Sequence, residues 1–393
     1  MTDTLQELMR EATRLTKAGR LAEATEAIQR ALRGTADAAV PDQDSAPVLA
    51  AVLASDKDHV ALDAEAVTTV TAATSAPDDH TNGFMNTDLT QRPRANQIDV
   101  DAEVAAKSGT GEFTSGRHTH DSQTRRYKLY APPAAAGRTL PLIVMLHGCT
   151  QDPDDFAAGT GMNTLALEQG FFVLYPAQSK EANASRCWNW FLHTHQQRDS
   201  GEPALLASMT RAVMAQRGID PRRIYIAGLS AGGAMATIVA AAYPEIFAAV
   251  GVHSGLPRGA ASNMIEALSV MKNGRAGVGV RGNATVAMVP TIVFHGDQDK
   301  TVHPRNGEQL IAQAFTTGSP QIEEGESAKG RRYTREIHRD DAGHIVAEHW
   351  LIHGAGHAWS GGQTTGSYTD AKGPDATRAM AAFFLAHPRG AAS

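Results

Sequence analysis

From about residue 111, short apolar runs recur along the chain, and most of them end at a turn residue. Six of these runs predict strands, and two of the six, "TLPLIVMLHG" and "QGFFVLYP", predict buried strands. The six runs are "TRRYKLYAPP", "TLPLIVMLHG", "QGFFVLYP", "RRIYIAG", "AAVGVHSG" and "PTIVFHGDQD". The pattern also predicts a late antiparallel pair and two amphipathic helices. The predicted antiparallel pair is "RRYTREIHR" with "HIVAEHWLIHG". The predicted helices are "PALLASMTRAVMAQRGI" and "DATRAMAAFFLAHP". Strands alternating with helices predict an α/β fold with a mostly parallel sheet, covered by helices on both faces.

The first part of the chain has a different pattern. Residues 1–33 carry apolar positions at helical spacing on both sides of Gly19, which predicts a short helical hairpin. One such hairpin cannot bury its apolar face alone, so it needs the main domain, a second copy or a partner. Residues 34–110 are rich in Ala, Thr, Asp and Pro and predict a linker that is either disordered or functional. The predicted folded domain therefore spans residues 111–393.

Composition narrows the classes of partner. The chain of 393 residues has a formal net charge of −6, which gives no electrostatic reason to expect nucleic acid or an anionic membrane. No apolar run is long enough for a membrane span, and the first residues have no secretory pattern, so we expect a cytoplasmic protein. Two cysteines, Cys149 and Cys187, exclude a disulfide-rich scaffold but could form one bridge.

One serine stands where a predicted strand meets a predicted helix. Gly228-Leu229-Ser230-Ala231-Gly232 fits the G-x-S-x-G pattern, whose structural context is strand, sharp turn and helix. The sharp turn requires very small neighbours, and the helix N-terminus favours negative charge that develops on the serine oxygen. We therefore predict that Ser230 is a nucleophile, and the alternative is a plain tight turn.

A serine nucleophile needs a base, and the base needs an acid that orients it. After such an elbow the order along the chain is serine, acid, histidine. The loop after "PTIVFHG" offers Asp299, our choice of acid, and Asp297 as the second candidate. The loop after "HWLIHG" offers His357, our choice of base, whereas His353 is still at the strand end and reads as structural.

A tetrahedral intermediate also needs donors for its oxyanion. The backbone N–H of Ala231 follows the nucleophile directly, and the loop "MLHGCTQDPDDF" offers the N–H of Cys149. His147 would shape that loop, although a plain strand-end turn is the alternative.

The tryptophans lie in or beside these loops. For Trp188 and Trp359 we expect a wall against an apolar substrate, and for Trp190 we expect packing under the loop.

Several motifs taken together resemble one family. "LHGCTQDPDDF", "CWNWF", "GLSAGGAMA", "HGDQDKTVHP" and "GAGHAWSGG" are similar to the polyhydroxybutyrate depolymerase family of esterases, whose relatives include feruloyl and acetylxylan esterases. The resemblance covers roughly residues 111–388. It implies the α/β-hydrolase fold, and the motif order resembles the type 1 catalytic domain of short-chain polyhydroxyalkanoate depolymerases. By position it implies Ser230 as nucleophile, Asp299 as acid, His357 as base and His147–Cys149 as the oxyanion loop.

The resemblance also bears on the cysteines and on the substrate. In exported family members a pair like Cys149 and Cys187 is a disulfide, whereas a reducing cytosol would keep thiols. Members that attack polymer outside the cell carry a signal peptide and a separate substrate-binding domain. Neither is recognised in this sequence, which favours soluble oligomers, intracellular polymer or small esters. No metal or other cofactor is expected, because serine hydrolysis needs none; His118 and His120 read as a surface strand, and "GTGEFTSG" as a loop.

The sequence therefore predicts a serine esterase for short-chain hydroxyalkanoate esters. A feruloyl or acetylxylan-type carbohydrate esterase is the alternative within the same class. In a non-enzymatic alternative, residues 1–33 dock on a granule, a partner or a second copy, and the hydrolase fold is incidental.

Overall fold

The structure is a computed structural model, and it describes residues 109–274, 289–314 and 319–390. The hairpin predicted over residues 1–33 lies outside the described residues, as does the predicted linker up to residue 108. The first described strand begins at Glu112, next to the start predicted for the folded domain.

The described residues form a ten-stranded sheet in the order β1-β2-β4-β3-β5-β6-β7-β10-β9-β8 and a small two-stranded sheet, β11-β12. The strands are β1 (Glu112–His120), β2 (Gln123–Ala131), β3 (Leu140–Leu146), β4 (Phe172–Pro176), β5 (Ile219–Leu229), β6 (Ala249–His253), β7 (Thr291–Gly296), β8 (Gln321–Glu326), β9 (Arg332–Arg339), β10 (Ile345–Ile352), β11 (Trp359–Ser360) and β12 (Thr369–Asp370).

The centre of the large sheet is parallel. Strands β4, β3, β5, β6, β7 and β10 run in one direction, and antiparallel strands flank them on both sides. The predicted mostly parallel sheet is confirmed, and so is the late antiparallel pair, which is β9 with β10. The central strands read as continuous apolar runs because helices cover both of their faces.

Helices form the two outer layers. They are α1 (Pro153–Thr160), α2 (Met162–Gln169), α3 (Gly201–Gln216), α4 (Ala231–Ala242), α5 (Met264–Asn273), α6 (Arg305–Ala314) and α7 (Ala376–Ala386), with short 3₁₀ turns at Pro133–Ala135 and His193–His195. Side chains of β3 alternate between the layers. Leu142 and Val144 pack with α3 and α4, whereas Ile143 and Met145 pack with α1, α2 and α7.

Among the described strands, the first half of β1 and the whole of β8, β11 and β12 were not predicted. The stretch read as a loop, "GTGEFTSG", enters β1 at Glu112, and that prediction was wrong because β2 pairs with β1 along its whole length. Strand β8 is a polar edge strand that pairs only with β9. His118 and His120 do lie on a partly exposed strand, as expected.

The predicted catalytic residues sit at one edge of this sheet. Ser230 follows β5, Asp299 follows β7 and His357 follows β10. These are carboxyl ends of parallel strands, where active sites of such sheets form. Among the described helices, none has the length and apolar character needed to cross a membrane.

Candidate active site

Ser230 occupies a strained turn between β5 and α4. Its φ of 57° and ψ of −120° lie in a region that a residue with a side chain rarely adopts, and such strain costs roughly 1–3 kcal/mol. The N–H of Ser230 donates to the carbonyl of His253 at 2.9 Å, which anchors the turn to the end of β6. The side chain makes no capping hydrogen bond to its own helix, and Ser230 is 6% exposed.

Two glycines make the turn sterically possible. A Cβ at Gly228 would lie 2.4 Å from the carbonyl carbon of Gly232, and a Cβ at Gly232 would lie 2.1 Å from the carbonyl oxygen of Leu146. Both distances are far below van der Waals contact. Glycine is therefore required where helix α4 approaches β5 and the end of β3.

Asp299 and His357 form a buried pair. The Nδ1 of His357 lies 2.7 Å from Oδ2 of Asp299, and the two side chains are 3% and 0% exposed. The other oxygen of Asp299 accepts hydrogen bonds from the backbone N–H groups of Thr301 and Val302 at 2.9 and 2.8 Å. The carboxylate is thus fixed on one side by its own loop and on the other by the imidazole.

Electrostatics keep this carboxylate ionised. Burial alone would raise the pKa of Asp299, but the nearby charge of His357 and hydrogen bonds from His295 and His357 hold that pKa well below its usual range. An anion beside Nδ1 fixes the proton there and leaves Nε2 of His357 as the basic nitrogen.

The second pair of candidates forms a separate contact. Asp297 accepts a hydrogen bond from the N–H of Gly354 at 2.7 Å, and its Oδ2 lies 3.1 Å from Nδ1 of His353. Their side chains are 28% and 33% exposed, far more than those of Asp299 and His357. The structure therefore brings Asp299 together with His357, the two residues that the sequence favoured, and Asp297 together with His353.

The loop between β3 and α1 lies against the elbow. A Cβ on Gly232 would also come within 2.6 Å of the carbonyl oxygen of His147, so α4 starts directly beside this loop. Ala231 is the first residue of α4, and its N–H therefore has no partner within the helix. Cys149 follows two residues after His147, so the two predicted oxyanion donors lie on neighbouring segments.

The ring of His147 is held in one tautomer. Its Nε2 accepts the N–H of Gln178 at 3.1 Å, so the proton is on Nδ1, which lies 2.8 Å from the carbonyl of Gly148. Burial lowers the pKa of His147 to about 4 and keeps the ring neutral. His147 thus supports the loop and carries no charge near neutral pH.

The chain is similar in sequence to a known family of esterases. The sequence profile of the family described as "Esterase PHB depolymerase" matches residues 125–337, more than half of the chain. The chain belongs to this polyhydroxybutyrate depolymerase family of esterases. The family resemblance expected from the motifs is confirmed.

Two relatives and one solved structure illustrate the similarity. The "Poly(3-hydroxyalkanoate) depolymerase C" of Paucimonas lemoignei is 32% identical over 236 residues, which are 57% of this chain and 56% of that protein. A "Probable acetylxylan esterase A" of Neosartorya fischeri is 26% identical over 62% of this chain and 72% of its own. The acetyl xylan esterase of Aspergillus awamori superposes with a TM-score of 0.54 at 20% identity, covering 62% of this chain and 94% of that chain.

These comparisons fix the fold and the family. The fold is the α/β-hydrolase fold. The chain spans only about half the length of the depolymerase from Paucimonas lemoignei that it matches.

The cysteines of this family member are joined. Cys149 and Cys187 form a disulfide, which ties the predicted oxyanion loop to the segment "CWNWF". Trp188 in that segment adds a second tie, because its Nε1 donates to the carbonyl of His147 at 3.1 Å. Of the two states left open by the sequence, this structure contains the bridge.

The prediction that Trp188 and Trp359 form a wall against the substrate was wrong. Trp188 is 0% exposed and Trp359 is 1% exposed, so neither ring offers a surface to a substrate. Trp359 packs edge-on against Phe156 and donates through Nε1 to Thr377 Oγ1 at 2.9 Å. Both rings pack beneath the loops, and Trp190, 4% exposed, packs there as expected.

Sequence reasoning missed three buried polar residues around the site. His253 and His295 end the apolar runs of β6 and β7, and Glu202 lies in the first turn of helix α3. Each is 0–1% exposed. A histidine directly after an apolar strand was the signal available for the first two. Within the described ranges, no three His, Cys, Asp or Glu side chains gather as metal ligands.

Proposed function

We propose that this protein is a serine esterase that cleaves short-chain hydroxyalkanoate esters through an acyl-enzyme. The observation that carries the proposal is the buried Asp299–His357 pair, with 2.7 Å between Oδ2 and Nδ1, on the same sheet edge as the strained Ser230 turn. A strained serine on the same sheet edge as an imidazole that a carboxylate orients fits the arrangement that activates a hydroxyl nucleophile.

In the acylation half, Ser230 Oγ attacks the ester carbonyl carbon while Nε2 of His357 takes its proton. Asp299 holds Nδ1–H and stabilises the imidazolium that forms. The carbonyl oxygen becomes an oxyanion, which the N–H groups of Ala231 and Cys149 would bind. The C–O bond then breaks, the leaving alcohol takes the proton from His357, and the acyl group remains on Ser230.

In the deacylation half, water takes the place of the alcohol. His357 removes a proton from the water, which attacks the acyl carbon, and the same donors bind the second oxyanion. Collapse of that intermediate releases the acid and returns the proton from His357 to Ser230 Oγ. Apart from the ester and this water, the two halves need no further reactant.

The proposal also specifies a class of substrate. The depolymerase from Paucimonas lemoignei supports a hydroxyalkanoate ester, since its identity of 32% exceeds the 26% of the acetylxylan esterase. A chain of hydroxybutyrate units presents repeated ester carbonyls, and each has the group that the proposed nucleophile attacks.

The test is product release from 3-hydroxybutyrate oligomers, beside feruloyl and acetyl-sugar esters. We expect Ser230→Ala to lower turnover by at least roughly 10⁴-fold. The matched control Ser115→Ala, at an exposed position of β1, should keep the wild-type rate. Preference for the sugar or feruloyl esters would overturn the substrate class, and equal rates for wild type and Ser230→Ala would overturn the mechanism.

The cellular location also stays a proposal. We keep the cytoplasmic location predicted from the sequence, although the Cys149–Cys187 disulfide is of a kind that persists in oxidising compartments and is rare in cytosol. Alkylation of free thiols in intact cells, followed by mass spectrometry, tests whether the two cysteines are reduced or bridged. Two alkylated cysteines would support the cytoplasm, and two protected cysteines would contradict it.

Residues 1–33 are proposed to mediate self-association or contact with a granule. The full chain and a chain lacking residues 1–33 would be compared by sedimentation, alone and with hydroxybutyrate granules. Loss of association with unchanged hydrolysis of soluble esters would support this proposal, and unchanged association would contradict it.

A further inference from the structure

His253 touches both catalytic segments of the proposed site. It is the last residue of β6 and is 1% exposed. Its backbone carbonyl accepts the N–H of Ser230 at 2.9 Å. Its side chain accepts, through Nε2, the N–H of Ser360 at 2.9 Å. Ser360 lies in β11, three residues after His357, so one residue bridges the nucleophile turn and the segment that carries the base.

The hydrogen bonds define the state of the ring. Because Nε2 accepts an N–H group, the ring proton is on Nδ1, which lies 3.2 Å from Ser254 Oγ. The ring also stacks against Phe294 and against Trp359, with centroid distances of 5.8 and 5.2 Å. The imidazole is thus fixed by two aromatic rings and by contacts at both nitrogens.

The electrostatic surroundings keep this ring neutral. Burial first, and then the charges of His295 and His357, lower the pKa of His253 to about 3 against the opposing effect of Asp299. A neutral ring can keep its lone pair on Nε2 while His357 gains and loses a proton. The bridge is therefore available in every step of the proposed cycle.

We infer that His253 is a positioning residue that sets the separation between the Ser230 turn and the His357 segment. The inference rests on the proposed function, because it assigns His253 a role for the proposed nucleophile and base. Misplacement of a reacting group by about 1 Å can cost about 100-fold in rate, so loss of the bridge should lower kcat with little change in KM.

Three substitutions separate positioning from packing. In His253→Gln the side-chain amide reaches the position of Nε2 and can accept the N–H of Ser360, whereas in His253→Asn it reaches only the position of Nδ1. His253→Phe keeps an aromatic ring in the stack but has no acceptor. We expect kcat within about threefold of wild type for Gln, and a loss of about 100-fold for Asn and Phe.

A matched control addresses packing directly. Phe294→Leu removes one ring of the stack and leaves both hydrogen bonds of His253, so we expect a lower Tm with kcat within about threefold of wild type. If His253→Phe fails to fold, the Gln and Asn pair still decides, because the two side chains differ only in reach. Wild-type kcat for Asn, or equal losses for Gln and Asn, would overturn the inference.

Ser230→Ala in the same assay distinguishes a failure of the positioning role from a failure of the proposed function. If this variant is inactive and the His253 variants behave as wild type, the positioning role fails and the proposed function stands. If Ser230→Ala keeps the wild-type rate, the proposed function fails and the positioning role fails with it.

Discussion

At the residue scale, Gly232 limits what the elbow tolerates. In Gly232→Ala the new Cβ would lie 2.1 Å from the carbonyl of Leu146, so α4 or the oxyanion loop must shift. We expect the free energy of unfolding to fall by about 1–3 kcal/mol and kcat to fall at least tenfold. Urea unfolding and ester hydrolysis measure the two effects. Gly390→Ala, where a Cβ has open space, serves as control, and equal behaviour of the two variants would contradict this account.

The two acids provide a second test at the residue scale. Asp299→Asn removes the charge that orients His357, and we expect kcat to fall by roughly 10³–10⁴-fold. Asp297→Asn is the same chemical change on the partly exposed pair with His353, and we expect less than a threefold effect. Steady-state hydrolysis of a soluble ester measures both. A larger loss in Asp297→Asn would transfer the acid role to that residue.

The sequence indicated which residue types lie near the candidate site and in which order along the chain. It did not indicate how the aromatic side chains there are oriented. The spacing around Ser230 and the loops after β7 and β10 indicated which side chains reach one edge of the sheet. The direction of a ring depends on partners far along the chain. Trp359 donates to Thr377 and Trp188 donates to His147, and neither contact could be inferred from an aromatic residue beside a loop.

At the scale of elements, helix α3 anchors the segment "CWNWF" through one buried charge. Glu202 is 0% exposed and accepts hydrogen bonds from the backbone and side-chain nitrogens of Asn189 at 2.7 and 2.8 Å, and also from Gln178. The disulfide and Gln178 connect the same segment to the oxyanion loop. The support of the oxyanion loop therefore extends to a helix that contributes no proposed catalytic residue.

The anchor gives a prediction for this element. In Glu202→Gln an amide replaces an oxygen that accepts, so one buried donor of Asn189 loses its acceptor. We expect the free energy of unfolding to fall by about 3 kcal/mol. Glu245→Gln, the same change at an exposed ion pair with Arg198, should cost no more than about 1 kcal/mol. Urea unfolding compares the two, and equal costs would contradict the anchoring role.

Whether a strand could be predicted from the sequence depends on the interactions that stabilise it. Strands such as β3 and β7 are buried on both faces, so each contains a continuous apolar run that is recognisable in the sequence. Strands β1 and β8 are edge strands with mostly polar residues, and they form because a neighbouring strand supplies hydrogen bonds. That pairing is long-range information, which periodicity within a short window does not contain.

At the scale of the whole molecule, buried neutral histidines make stability depend on pH. Burial lowers the folded pKa of His253 to about 3 and that of His147 to about 4, below the value of about 6.5 in an unfolded chain. The unfolded state therefore binds more protons as the pH falls below 6.5. The contribution of these two rings to the free energy of unfolding is therefore fully present above pH 6.5. It decreases as the pH falls from 6.5 to the folded pKa values.

The size of this effect can be measured. Between pH 7 and pH 5 we expect a loss of about 2 kcal/mol for each of the two histidines. Carboxylates contribute little in this window because their pKa values lie below it. Urea unfolding at both pH values tests the sum, with His253→Gln expected to lose about half of the dependence. A free energy of unfolding that is the same at pH 7 and pH 5 would contradict the neutral burial of these rings.

The central claim is that Ser230 is the nucleophile, and active-site labelling tests it most directly. A fluorophosphonate forms a covalent phosphoryl adduct with an activated serine, and peptide mass spectrometry locates the adduct. The account predicts one adduct, on Ser230, that is abolished in Asp299→Asn and retained in Asp297→Asn. An adduct on another residue, or none in an active preparation, would contradict it.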